Sequence, residues 1–120
     1  MLKKNKTKKP LVPTVDEFLA YQPRKVGMEW KIKGDGLVEI KVPKFKSDFG
    51  KSFCNFIKKD DYFVANLDRL GSTVWQNCDG EKTVKQILSV VKKEFPDEKN
   101  IDQRLFLFLQ QMQSLHYIDL

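Results

Sequence analysis

Residues 67–88, LDRLGSTVWQNCDGEKTVKQIL, constrain the fold more than any other stretch, because they encode a helix, its stop and the cap of the next helix in one register. Leu67, Leu70, Val74 and Cys78 recur at the spacing of one helical face, which predicts a helix from about Asp68 to Cys78. Gly71 lies on that stripe and admits a neighbour close to the backbone. Asp79-Gly80 ends the run, with Gly supplying the left-handed residue after the helix. Thr83 with Gln86 three residues on is a capping box, and Val84, Ile87, Leu88 and Val91 form the buried stripe of a second helix that Pro96 closes.

A third helix opens at Asn100 with Ile101, Leu105, Phe108, Met112 and Leu115 on one stripe. Phe106 and Leu107 fall on opposite shoulders of it and call for apolar cover. Upstream, EWKIK and LVEIKV alternate about the turn Gly34-Asp35-Gly36, the pattern of a β-hairpin with one dry face. DYFVANL is rich in strand formers, with Phe63, Ala65 and Leu67 on one face and Tyr62, Val64 and Asn66 on the other. Between them, Phe45, Phe49, Phe53 and Phe56/Ile57 recur every three or four positions, which predicts a short amphipathic helix. HYIDL ends as an extended tail expected to pair with the hairpin. The expected class is therefore α+β: a three-stranded antiparallel sheet followed by a three-helix bundle, residues 23–120. It is preceded by residues 1–22, a basic tail and a Pro-containing arm in which Val15, Phe18 and Leu19 share one helical face.

The formal charge of +6 is local. Lys3, Lys4, Lys6, Lys8 and Lys9 account for five units of it, so the chain beyond them is nearly balanced at +1. Cys54 and Cys78 match no metal spacing and no secreted disulfide framework, and are expected to be reduced small hydrophobes. Cys78 lies on a buried stripe, which disfavours a reactive thiolate. No apolar run approaches the ~20 residues needed to span a bilayer. A soluble cytoplasmic protein with no cofactor and no metal site is expected.

Leu67, Gly71, Val74, Trp75, Asp79, Gly80, Thr83, Val84 and Ile87 together resemble the pattern of the coenzyme PQQ synthesis protein D (PqqD) family, over about residues 24–118. The resemblance implies a compact winged helix-turn-helix fold. It also implies a non-catalytic role as a recognition element that binds the leader of a ribosomally made precursor peptide. The leader would be presented to a modifying enzyme, often a radical S-adenosylmethionine enzyme. In that family the groove runs between the third strand and the third helix.

An extended peptide can add to an unpaired sheet edge, and the third strand is such an edge if only the hairpin pairs with it. The expected peptide-binding residues are Tyr62, Phe63, Val64, Ala65 and Asn66 with Arg104, Leu107 and Gln111; Phe106 is the alternative shoulder. A helix at 45–59, or the N-terminal arm, would cover that edge, leaving an adaptor or one subunit of a homodimer. The rival of another class is DNA binding through the third helix, which offers Arg104 against Asp102 beside Gln103, Gln110, Gln111 and Gln113. Near-neutral charge outside the tail argues against it. An enzyme is not expected. His116 has no catalytic partner in sequence, and Asp60-Asp61, being adjacent, would point to opposite faces of a strand.

Overall fold

The computed structural model describes residues 12–43, 54–58 and 62–120. Its elements are α1 (Val15–Leu19), β1 (Arg24–Lys25), β2 (Glu29–Ile32), β3 (Val38–Pro43), β4 (Cys54–Lys58), β5 (Tyr62–Leu67), α2 (Arg69–Asn77), α3 (Val84–Glu94), α4 (Ile101–Ser114) and β6 (Ile118–Asp119). The fold is α+β, an antiparallel sheet followed by helices, as the periodicities indicated.

The hairpin β2–β3 closes through a hydrogen bond from Lys33 N–H to Leu37 O (2.8 Å), with Gly36 at φ 84° supplying the left-handed residue of the turn. β3 then pairs with β5, Ile40 opposite Ala65 and Val42 opposite Phe63. Val38, Ile40, Val42, Ala65 and Leu67 are wholly buried or nearly so and form the sheet's contribution to the core. The helices cover this face with Val74, Trp75, Ile87, Val91, Leu105, Phe108, Leu109 and Met112.

One sequence expectation is corrected here. Residues 54–58, the end of the segment expected to be helical, form strand β4 on the far side of β5, giving the order β2-β3-β5-β4. Phe56 stands opposite Ala65 and Ile57 opposite Val64, so the aromatic and β-branched residues that mimicked a helical spacing follow a strand register instead. Residues 44–53, the rest of that expected helix, lie outside the described residues, as does Asp60-Asp61. The C-terminal tail does form a strand, but it pairs with β1 rather than the hairpin: Lys25 stands opposite Ile118, and Arg24 ion-pairs with Asp119 at 3.0 Å.

Three of the four helices are capped by their own side chains, α4 being the exception. Asp68 accepts from Gly71 N–H (2.7 Å) at the start of α2, and Thr83 with Gln86 forms the expected box at α3. A second box, Thr14 with Glu17, starts α1, whose Phe18 is buried in the core. The chain between α1 and β2 then laces the α2–α3 corner. Tyr21 O accepts from Val84 N–H (2.8 Å), Pro23 O from Gly80 N–H (2.8 Å), and Cys78 O from both the backbone N–H and the ammonium of Lys25. Gly80, at φ 82°, sits where a side chain would meet both backbone strain and Arg24.

Gly71 is the contact point of α2 with α4. A β-carbon there would stand 2.9 Å from Phe108 Cε1 and 3.1 Å from Asp68 Oδ1, the oxygen that caps the helix. Gly71→Ala gains helix propensity but must move a buried ring, so it is expected to destabilise the fold by about 1–3 kcal/mol, read as a lowered Tm in thermal unfolding followed by circular dichroism.

Candidate functional site

β5 was expected to be an edge, yet both of its flanks are taken. The hydrogen-bonding phase set by the Lys33–Leu37 closure propagates across the sheet, because directly opposed antiparallel residues alternate between bonded and non-bonded pairs. Lys31 and Glu39 bond each other, Ile40 and Val42 turn their backbone groups to β5, and Val64 and Asn66 turn theirs outward. Those outward groups meet Ile57 and Asn55 of β4. The flank on which an extended peptide would add therefore already holds an extended antiparallel segment of the same chain.

Side-chain alternation distributes the remaining candidates. Phe63 and Ala65 face the helices, Phe63 half-buried and Ala65 wholly buried. Val64 and Asn66 face the other side. Val64 is buried at 5% exposure without joining the main core, and Asn66 Oδ1 accepts from the Lys33 ammonium at 3.2 Å. Tyr62 stands opposite Pro43 in the ladder. On α4, Leu107 is 54% exposed, Arg104 is exposed and ion-paired with Glu98, and Gln111 is half-buried. The strand residues Val64 and Asn66 and the α4 strip Arg104–Leu107–Gln111 thus lie on opposite sides of the sheet.

The two shoulders of α4 are now distinct. Phe106 packs edge-on against Phe18 of α1, ring centroids 5.2 Å apart, so the arm covers it. Of the two shoulders, Leu107 is the one that keeps its apolar face in solvent. The sequence signal for α1 as that cover was present in Thr14-x-x-Glu17, a capping box that the spacing of Val15, Phe18 and Leu19 did not by itself reveal.

The motif residues build a corner, not a reaction centre. Trp75 is fully buried, with the Trp30 ring edge-on to it at 6.2 Å and the Lys25 ammonium 5.9 Å from its centroid. Burial pushes the Cys78 thiol up to about 12, the nearby Lys25 charge only partly opposing it. Asp79 accepts at one oxygen from the N–H groups of Lys82 and Glu81, both 2.9 Å, and at the other from the Lys82 ammonium. These bonds hold its carboxyl well below the usual carboxylate range. His116 is exposed at the end of α4 with φ 65°. Among the described residues no group of three or more His, Cys, Asp or Glu could hold a metal ion, and no helix is long and apolar enough to cross a membrane.

The family model for coenzyme PQQ synthesis protein D (PqqD) matches residues 58–118, from the end of β4 through α4 to the start of β6. The chain belongs to this family. Comparison with curated proteins and with solved structures gives no match. Members of the PqqD family are non-catalytic accessory proteins that in general bind a precursor peptide and a partner enzyme, which supports an adaptor or peptide-binding role for this chain. The matched span includes β5 and the three helices but only the last residue of β4.

Two measurements follow from the corner. A thiol reagent at pH 8 is expected to leave Cys78 unmodified until the protein unfolds, as read by mass mapping of the modified peptide; rapid labelling of the folded chain at that residue would contradict the burial. Asp79 has a depressed folded pKa, so its contribution is present above the unfolded value of about 4 and is lost as pH falls below it. The Tm gap between the native chain and Asp79→Ala is therefore expected to narrow from pH 7 to pH 3.

Proposed function

We propose that this PqqD-family chain is a non-catalytic adaptor that recognises the leader of a ribosomally made precursor peptide by strand addition to β5 and holds it for a modifying enzyme, of which a radical S-adenosylmethionine enzyme is one candidate. The observation that carries this reading is β4 itself. A segment arriving through a long connection lies antiparallel on β5 with Asn55 opposite Asn66 and Ile57 opposite Val64, so the outer flank of β5 has the shape and polarity to take an extended chain. The leader would take the place of β4, with the exposed Leu107 strip of α4 as the accessory apolar surface beyond the sheet.

Exchange of one strand for another conserves the backbone ladder, whose hydrogen bonds contribute roughly 0.5–1.5 kcal/mol each whichever strand supplies them. Side chains then decide the outcome. A tethered β4 competes at an effective concentration on the order of millimolar. A leader at micromolar concentration must therefore gain about 4 kcal/mol more from its side chains than β4 does in order to fill half the sites. Leaders of high affinity should accordingly be rich in apolar residues at alternate positions.

The same pairing favours a second reading, in which β4 is a permanent strand and the chain is a PqqD-like scaffold without leader affinity. The readings separate on one substitution. Ile57→Pro removes a donor directed at β5 and weakens the competitor without touching β5. Under the adaptor reading, leaders encoded beside this gene bind the native chain with micromolar affinity and shift the amides of residues 62–67, and Ile57→Pro binds at least about tenfold more tightly. No saturable binding to either form, with Ile57→Pro still folded by circular dichroism, would leave the scaffold reading.

A further inference from the structure

The opposite edge of the sheet carries a separate surface. Among the described residues no strand pairs with the outer flank of β2. The same alternation that turns Lys31 to Glu39 leaves the N–H and C=O groups of Trp30 and Ile32 directed outward. Every residue of β2 is exposed, and Trp30 and Ile32, on one face of the strand, keep 38% and 52% of their surface, apolar groups beside unpaired backbone. On the face away from the helices, β2 presents Glu29 and Lys31, which pair within the chain with Lys41 (3.3 Å) and Glu39 (3.8 Å).

We infer that this edge is a self-association surface, on which β2 pairs antiparallel with β2 of a second copy, Trp30 opposite Trp30. Three registers would bring the outward-directed groups of two copies face to face. With Ile32 opposite Ile32, Lys31 of each copy meets Lys33 of the other. With Trp30 opposite Ile32, the two Lys31 residues meet at the centre, and Glu29 of each copy meets only Lys33, whose ammonium Asp35 and Asn66 already hold. Both place like charges directly across the junction, which is destabilising. With Trp30 opposite Trp30, Glu29 of each copy stands across from Lys31 of the other. The charges then alternate along a continuous row, Glu39–Lys31 of one copy followed by Glu29–Lys41 of the second, and the row repeats in reverse on the other side of the two-fold axis. A two-fold axis perpendicular to the sheet keeps the Trp30 side chains on the helix side of both copies, beside Trp75.

A single short strand makes this a weak, concentration-dependent dimer, since main-chain pairing over so few residues contributes little beyond its apolar neighbours. It is independent of leader binding, because β3 and β5 separate the two edges.

The register is testable by charge exchange. Glu29→Lys places two lysines across from each other at both positions, and Lys31→Glu places two glutamates there, so either variant alone is expected to associate roughly tenfold or more weakly than the native chain. An equimolar mixture of the two variants restores opposite charges at both positions, and is expected to recover native association as a heterodimer. Sedimentation equilibrium measures the mass in each case. A blue shift of Trp30 emission on concentration, against a silent buried Trp75, reports burial at the junction. Both substituted side chains are solvent-exposed, with only Glu39 among their partners half-buried, so both variants are expected to fold, checked by circular dichroism. A native chain that stays monomeric up to about 1 mM, or variants that associate no better mixed than apart, would overturn the proposal. So would a leader peptide that shifts the amides of residues 29–32 in a monomer, since it would assign the edge to a peptide instead.

Discussion

The chain leaves the sheet for the helices between Leu67 and Arg69, and a buried hydroxyl closes that exit. Ser72 Oγ accepts from Val38 N–H at 2.8 Å, completing the ladder of β3 where β5 has turned away, and donates to Leu67 O at 3.4 Å. A buried amide left without that acceptor would cost about 1–3 kcal/mol, so the first turn of α2 is tied to the end of both strands. The residue beside it, Gly71, lets Phe108 reach the α2 backbone, and Trp75, one turn on, fills the space under the hairpin. Three positions within five residues of one helix thereby set the sheet, α4 and the hairpin against one another. β5 is thus held at its Leu67 end and along its inner face.

Where local pattern and tertiary demand agree, the elements could be read from residues alone. Thr83 with Gln86, Gly80 after α2 and the Gly34–Gly36 turn each do locally what the fold requires of them, and the helices they delimit lie within a residue or so of where the periodicity puts them. The miss at Cys54–Lys58 has the opposite origin. Phe53, Phe56 and Ile57 satisfy a helical spacing, and only the availability of the β5 flank, a non-local fact, selects the strand. Short segments have too little periodicity to arbitrate between the two states. For the same reason the two-residue strand β1 left no signal, and the extended tail that forms β6 was legible without its partner: the α2–α3 corner and Tyr117 hold the two together. At the candidate site, the alternation of Phe63, Ala65 and Leu67 against Val64 and Asn66 was legible, while the side from which the helices approach was not. That side is set by β3's apolar face.

Charge placement bears on the rival use of such a fold. A helix that reads DNA needs cations around it to collect phosphates. α4 exposes Asp102, Gln103, Gln110 and Gln113, and its one arginine is committed to Glu98. The lysines that give the chain its net charge precede residue 10, and the outer face of the sheet cancels its own charges in the pairs Glu29–Lys41 and Lys31–Glu39. A surface so balanced favours partners recognised by backbone pairing and apolar contact over those recognised by long-range attraction.

The two flanks of the sheet differ in what they would cost to use. At β2, whose outer flank no other strand among the described residues takes, a second chain would extend the ladder, so every bond formed would be a gain and the shortness of the strand would limit the association. At β5 an incoming peptide would have to replace β4, and the ladder would be conserved rather than extended. The threshold for occupancy would therefore be higher at β5, because backbone pairing, which is blind to sequence, would give no net gain there and side-chain complementarity would have to supply it. A recognition element that must choose one leader among many extended peptides benefits from such a threshold. An unoccupied edge would bind any strand at a baseline set by its backbone, whereas an edge already held by its own segment admits only the strand whose side chains fit better.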